Sequence, residues 1–348
     1  MQIVLDAAGE NGWHKAWMAA TRGSYEWWYA DFISDDTDWS LVVIFLLGNP
    51  FSAYYRQSFL KEDSSPIDHN GVFFALHRRG QLRHYAFINY PAKAITNNGV
   101  GTGLSFGPNS FSFAIDSGFR AEFHEENANR RVLDAVVTLQ PTSARSESPA
   151  TVDPNAGHWW LPAIAAGRAE VDIAIRSLGA SRAIERIKFS GSGYHDHNWG
   201  VLPFGREIDH WTWARSDFGD GKAALFYWTV EDGGRQTCSL LIFYRTSLPV
   251  VYENAIVNVE KWRISKFGTR SPKKVVIAID NLLLSISTNE LLEDVPFYVR
   301  YRHTATLTVD GVQQTGVGIG EFFKPAPLAT PIVSSALTRR IYRPADGC

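Results

Sequence analysis

The chain has 348 residues and a formal net charge of −2, which gives no field that would favour nucleic acid. With 45% hydrophobic and only 20% charged residues, wholesale disorder is excluded and a large core is expected. The two cysteines, Cys238 and Cys348, can build neither a disulfide framework nor a four-cysteine zinc site.

Met1 to Asp6 shows no basic segment followed by an apolar run, so no secretory signal is read there and a cytoplasmic location is expected. Residues 1–22 read as an extension with a short helix over Asn11–Ala20, where Trp13 and Trp17 lie one turn apart. From Ser24 onward the hydrophobic period falls to two, the signature of strands. In Glu26-Trp27-Trp28-Tyr29-Ala30-Asp31, alternation puts Glu26, Trp28 and Ala30 on one face and Trp27, Tyr29 and Asp31 on the other. Glu26 then reads as an acid beside indoles or as the partner of an arginine such as Arg56. The longest apolar run, Leu41 to Leu47, is far too short to cross a membrane as a helix.

Half-buried strands are expected around Phe111–Ile115, Phe119–Phe123, Leu133–Leu139 and Ala169–Ile175. Turns punctuate the chain at Asp35–Asp38, Asn98-Gly99, Gly219–Gly221, Asp232–Gly234 and Asp310-Gly311. Pro141 to Gly157 reads as a long loop. His158-Trp159-Trp160-Leu161-Pro162 marks a strand whose aromatic pair fills the core or lines a cavity, with Trp159 the candidate ligand contact.

Gly191-Ser192-Gly193-Tyr194-His195-Asp196-His197-Asn198-Trp199-Gly200 carries the densest chemistry. If extended, His195 and His197 share one face, and Tyr194, Asp196 and Asn198 share the other. Three readings stand. His195 and His197 could hold a metal with His158 or His210. Asp196, desolvated in an apolar cavity, could work as an acid tuned by the histidines. The cluster could also be a hydrogen-bonded network that pins a strand.

Further on, His210–Phe218, with Trp211 and Trp213, leads through a turn into Lys222–Trp228. This echoes Glu26–Phe32 leading into Trp39–Phe45. The echo suggests two β-units in tandem, 23–185 and 186–348. Gly316-Val317-Gly318-Ile319-Gly320 reads as a strand whose glycines admit a neighbouring side chain or ligand. There is no phosphate-binding loop and no dinucleotide fingerprint. The composite expectation is an all-β fold of barrels or sandwiches.

The motifs at 191–200, 26–31 and 158–162 resemble those of the carotenoid 1,2-hydratases (hydroxyneurosporene synthases). The wider superfamily takes in AttH-like proteins and lipocalin-like Diels–Alderases. The resemblance runs from about Ser24 to about Phe323. It implies two tandem lipocalin-like antiparallel barrels with a ligand pocket at their junction, and neither a metal nor an organic cofactor. It also implies roles for His197 and Trp199, and for a tyrosine and an aspartate on a following strand. The matching stretch here is Leu225–Thr229, where Tyr227 takes the tyrosine role and no aspartate is present.

The leading expectation is a cofactor-independent enzyme that protonates an alkene of an apolar isoprenoid or polyene, giving hydration or cyclisation. Asp196, or else Glu26, would be the acid, with His195 and His197 orienting it. Trp28, Trp199, Trp211, Trp213 and Tyr227 would face the cation. Two other classes are carried beside it. A pericyclase would need shape and a donor such as Tyr194, Asn198 or His195. A non-catalytic carrier would need only the cavity. An apolar substrate also suggests peripheral contact with a membrane during uptake.

Overall fold

The segments with period two all become strands, and the chain is nearly all-β. This computed structural model describes residues 2–3, 22–61, 65–97, 102–114, 116–126, 131–144, 157–201, 208–330 and 332–333. The expected helix at 11–20, the Asn98-Gly99 turn, Cys348 and most of the expected 141–157 loop lie outside these residues.

The first sheet contains β1 (Gln2–Ile3), β2 (Tyr25–Ser34), β3 (Trp39–Leu47), β4 (Asn70–Arg78), β5 (Gln81–Tyr90) and β6 (Ile95–Asn97). It continues with β7 (Thr102–Phe106), β8 (Asn109–Ala114), β9 (Gly118–Glu126), β10 (Arg131–Pro141), β11 (His158–Ser177) and β12 (Ala183–Gly200). The order is β5-β4-β3-β2-β12-β11-β10-β9-β8-β7-β6, a nearly closed barrel, with β1 added in parallel beside β11.

The second sheet contains β13 (Ile208–Asp217), β14 (Ala223–Glu231), β15 (Gln236–Phe243), β16 (Val250–Glu253) and β17 (Ile256–Ile264). It ends with β18 (Arg270–Ile279), β19 (Leu282–Val295), β20 (Tyr298–Val309) and β21 (Val312–Phe323). Its order is β16-β15-β14-β13-β21-β20-β19-β18-β17. This sheet curls into a half-barrel, so the second unit is less closed than the first.

In both sheets the first strand of a meander lies against the last strand: β2 against β12, and β13 against β21. The Trp-rich echo in the sequence falls on β2–β3 and β13–β14, equivalent positions in the two sheets. β12 belongs wholly to the first sheet, so the sheet changes after Gly200 and not at the expected 185/186 boundary. The physical reason is the ladder itself: every residue from Gly191 to Gly200 pairs with β2.

Glycines on each last strand permit this close pairing. A Cβ at Gly191 would stand 1.9 Å from the Ile33 carbonyl oxygen, and one at Gly318 would stand 1.8 Å from that of Arg215. Any side chain there would push the two strands apart.

β2 is buried along its whole length, because each of its faces meets a core. One face looks into the first barrel, where Trp28, Phe45, Phe111, Trp159 and Trp199 pack. The other looks toward the second sheet, where Trp27, Tyr29, Trp160, Trp211, Trp213 and Tyr227 gather. A separate apolar cluster with Phe226, Trp228 and Leu284 fills the hollow of the half-barrel. This explains why β2 and the second half of β12 are buried on both faces although they carry Glu26, Asp31, His195, Asp196, His197 and Asn198.

An eight-residue helix, α1 (Ala53–Leu60), was not signalled by hydrophobic period. It is capped by Ser52, whose hydroxyl accepts from the Tyr55 amide at 3.4 Å. The Tyr55 hydroxyl then donates to the Ser24 carbonyl at 2.5 Å and ties the helix to the start of β2.

Candidate active site between the two sheets

A cavity of ≈ 640 Å³ lies between the sheets. That is within the size range of small-molecule sites. β2, β11 and β12 supply Trp27, Tyr29, Trp160, Asp196 and Asn198; β13, β14, β20 and β21 supply Trp211, Trp213, Tyr227, Arg300 and Glu321. Its walls are mainly aromatic and aliphatic, and its polar groups are few.

Asp196 is 5% exposed and receives three hydrogen bonds. Tyr194 O–H donates to Oδ2 at 2.8 Å, and the Trp160 indole N–H donates to the same oxygen at 2.9 Å. The Asn198 amide donates to Oδ1 at 2.7 Å. Burial pushes its carboxyl well above the usual carboxylate range, and the bonds from Tyr194 and Trp160 offset that only in part. Glu321 and Asp31 add repulsion in the same direction. Asp196 is thus a buried carboxyl, shifted toward its protonated form, set in an aromatic wall.

Glu321 is a second carboxyl in the same cavity. It accepts from Trp211 Nε1 at 3.3 Å and from the Tyr298 hydroxyl. Burial raises it too, but the Arg300 guanidinium and those two donors oppose the rise. Arg300 is nearly fully buried and lies 4.9 Å from the Tyr298 ring centre and 5.7 Å from that of Tyr29. It stays charged: burial works against the cation, but Glu293, at 2.9 Å, and its other neighbours outweigh it.

Asp31 and Arg215 join the two sheets. Arg215 Nε donates to Asp31 Oδ1 at 2.8 Å, and Nη2 donates to the same oxygen. Tyr29 O–H donates to Asp31 Oδ2 at 3.0 Å. This pair holds β2 against β13 beside the cavity.

Alternation gave the shared faces correctly, and the structure assigns each face its surroundings. Asp196, Asn198, Trp211, Trp213 and Tyr227 line the cavity. Tyr194 is fully buried behind Asp196. His195, His197, Glu26, Trp28, Trp159 and Trp199 do not line it; they lie on the barrel-facing side of their strands. His197 Nε2 meets Glu26 Oε1 at 2.7 Å, so Glu26 is paired with a histidine rather than with Arg56. The His197 ring stacks on Trp28 at 4.8 Å, and His195 packs on Phe119 at 4.4 Å. The reason is the pleat: with Asp196 facing the junction, its two histidine neighbours must face the barrel.

The residues of the metal reading are not brought together. His158 faces the junction and its Nδ1 bonds the Tyr25 hydroxyl at 2.9 Å, while His210 packs against Trp228 and Phe322.

Tyr298, Arg300 and Glu321 were not singled out from the sequence, and all line the cavity; so do Tyr29 of the 26–31 motif and Trp160 of the expected aromatic pair. One signal could have found Glu321. Gly191-x-Gly193-x-x-Asp196 and Gly316-x-Gly318-x-x-Glu321 share one spacing. In the ladders Asp196 lies opposite Tyr29 and Glu321 lies opposite Trp213, so the two acids occupy matching places on β12 and β21.

Comparison with known proteins follows the same lines. The family model for carotenoid hydratase CrtC matches residues 43–346. A hydroxyneurosporene dehydrogenase of Chlorobaculum tepidum is 25% identical over 99% of this chain and 92% of its own. An acyclic carotenoid 1,2-hydratase of Thiocapsa roseopersicina is 26% identical over 93% of this chain and 74% of its own. Among solved structures, CghA with Sch210972 superposes with a TM-score of 0.60 at 14% identity, covering 87% of this chain and 89% of that one. An AttH-like protein of Nitrosomonas europaea gives 0.55 at 14% identity, covering 86% and 92%. These two likenesses establish the lipocalin-like fold.

Proposed function

The chain belongs to the carotenoid hydratase CrtC family, and from that premise we propose that it adds water across a terminal double bond of an acyclic carotenoid, with Asp196 as the acid. The observation that carries this reading is the position of Asp196, a buried carboxyl with a raised pKa in the aromatic wall of the cavity. Three donors occupy three of the roughly four acceptor positions of its carboxyl, and the remaining one can hold the proton. Transfer of that proton to the less substituted alkene carbon forms a C–H bond and leaves a tertiary cation. The faces of Trp27, Trp160, Trp211, Trp213 and Tyr227 surround it with π-density. Water then forms the C–O bond and gives up a proton. His197 and Glu26 act from behind the wall in this reading, by fixing β2 against β12 across the barrel face.

The test is turnover of an acyclic carotenoid in deuterated water, read by mass spectrometry. Asp196→Asn keeps the shape and loses the proton. It should lower both hydration and carbon-bound deuterium by about 10²–10⁴-fold. Full turnover by that variant would defeat the assignment.

The substrate class also suggests how the protein is approached. Among the described residues no helix is long and apolar enough to cross a membrane. Leu82, Phe267 and Ile332 line the cavity and are 54%, 49% and 83% exposed, so the cavity opens among apolar side chains, with Lys266 beside them. In our reading this rim dips into a lipid bilayer and takes the polyene directly from it.

A further inference from the structure

We propose that Glu321 is the base that receives the proton of the attacking water, and that Trp213, beside Glu321 on the second sheet, holds this water. This rests on the reading of Asp196 as the acid and assigns the second half of the same reaction.

Register brings the parts together. In the second sheet Glu321 on β21 lies directly between Trp213 on β13 and Arg300 on β20. Directly opposed residues of an antiparallel pair have Cβ atoms roughly 4.5–5.5 Å apart. All three residues line the cavity. The Trp213 indole N–H is buried with no hydrogen-bond partner among the described residues, although Trp213 is only 3% exposed. Buried donors are normally satisfied, and an unsatisfied one on a residue that lines a cavity points to a ligand atom. An oxygen that accepts from this N–H is placed next to Glu321.

The two carboxyls are made unequal by their surroundings. Asp196 accepts from three neutral donors, Tyr194, Trp160 and Asn198, and the carboxyls of Glu321 and Asp31 repel its charge. Glu321 has the fixed cation Arg300 as its ladder neighbour, with Glu293 on the far side of that cation. Burial, and after it the same arginine, pushes His77 on β4 down to about 4, so it is a weak base and does not compete. Burial raises both carboxyls, but the attraction of Arg300 acts on Glu321 and favours its ionised form. Two carboxyls whose environments differ in this way divide into an acid and a base.

The step balances. Asp196 gives its proton to carbon and becomes a carboxylate. One lone pair of the water accepts from Trp213 Nε1, and the other attacks the cation and forms the C–O bond. An O–H bond of the resulting oxonium breaks and its proton passes to Glu321. Exchange with solvent then reloads Asp196 and unloads Glu321, and no redox partner is needed.

The test measures how the cation partitions. Purified full-length protein is given lycopene in detergent micelles in deuterated water. Hydration is read as the water adduct, and reversal as deuterium on carbon in recovered lycopene. Glu321→Gln should lower hydration by about 10²-fold or more while exchange continues, because the cation still forms and returns to alkene. Trp213→Phe should move the same ratio in the same direction, by about 10-fold. Hydration at the wild-type rate in Glu321→Gln, or hydration and exchange falling by one factor, would overturn the proposal. If Glu321→Gln does not fold, Trp213→Phe decides: an unchanged ratio rejects it. Wild-type protein that neither hydrates nor exchanges lycopene, or Asp196→Asn that does both, would instead remove the reading on which this one rests.

Discussion

Buried acids in this protein divide by what faces them. Asp196 and Glu321 serve the cavity, whereas Glu125 sits in a closed network that accepts from the Tyr90 hydroxyl and the Asn109 amide. Burial carries the Glu125 carboxyl from 4.5 up to about 7 against those two donors. The folded state therefore binds this proton more tightly than the unfolded chain. Its stabilisation is complete below pH 4.5 and is lost as pH rises through about 7. Urea unfolding should show a contribution larger at pH 5 than at pH 8 by up to about 3 kcal/mol. Glu125→Gln should remove that slope; a variant with the wild-type slope would exonerate Glu125. In the proposed mechanism the protonated form of Asp196 is the active one, so turnover should decline on the alkaline side.

At the scale of elements, the contact between β2 and β13 depends on one ion pair in an apolar setting. Asp31 and Arg215 are both fully buried, and burial alone would raise the aspartate, with Arg215 and Tyr29 opposing that. Removing one partner strands the other. Arg215→Met should cost about 3–5 kcal/mol, and Asp31→Leu a comparable amount. The double variant should recover much of that, since two apolar side chains can fill the space without a charge. Chemical unfolding of the three variants measures the coupling. A strictly additive double variant would show that the sheets are held by aromatic packing alone.

The whole molecule places an apolar, aromatic cavity between two sheets and opens it among exposed apolar side chains. Leu82→Asp with Phe267→Asp should lower co-sedimentation with lipid vesicles. Turnover of carotenoid delivered in vesicles should fall more than turnover of carotenoid delivered in micelles. Equal losses by both routes would argue against bilayer docking. The half-barrel contributes more than a lid in this arrangement. It supplies Glu321, Arg300 and Trp213, so neither sheet carries a complete site.

Much of this was legible in the sequence because alternation is local. A pleated strand has a period of two whatever it packs against. Glu26 was therefore grouped with Trp28, and Asp196 with Tyr194 and Asn198, before any contact was known. The Trp-rich echo likewise marked two first strands that do hold equivalent places. What alternation does not contain is the identity of the space on each side. β2 and the second half of β12 are buried on both faces, so polarity gave no cue as to which face met a cavity. That was decided by residues far along the chain, as when Arg215 meets Asp31 at a separation of 184 positions. His195, His197 and Glu26 were consequently grouped with Asp196, although their side chains face the barrel and not the cavity. Glu321 escaped notice because a lone acid after Gly316-x-Gly318 has no local partner. Its Arg300 and Trp213 neighbours come from the ladder of a folded sheet. Sequence determined the strands, their faces and the chemistry available on each; only closure of the barrel and docking of the second sheet decided which carboxyls share a cavity.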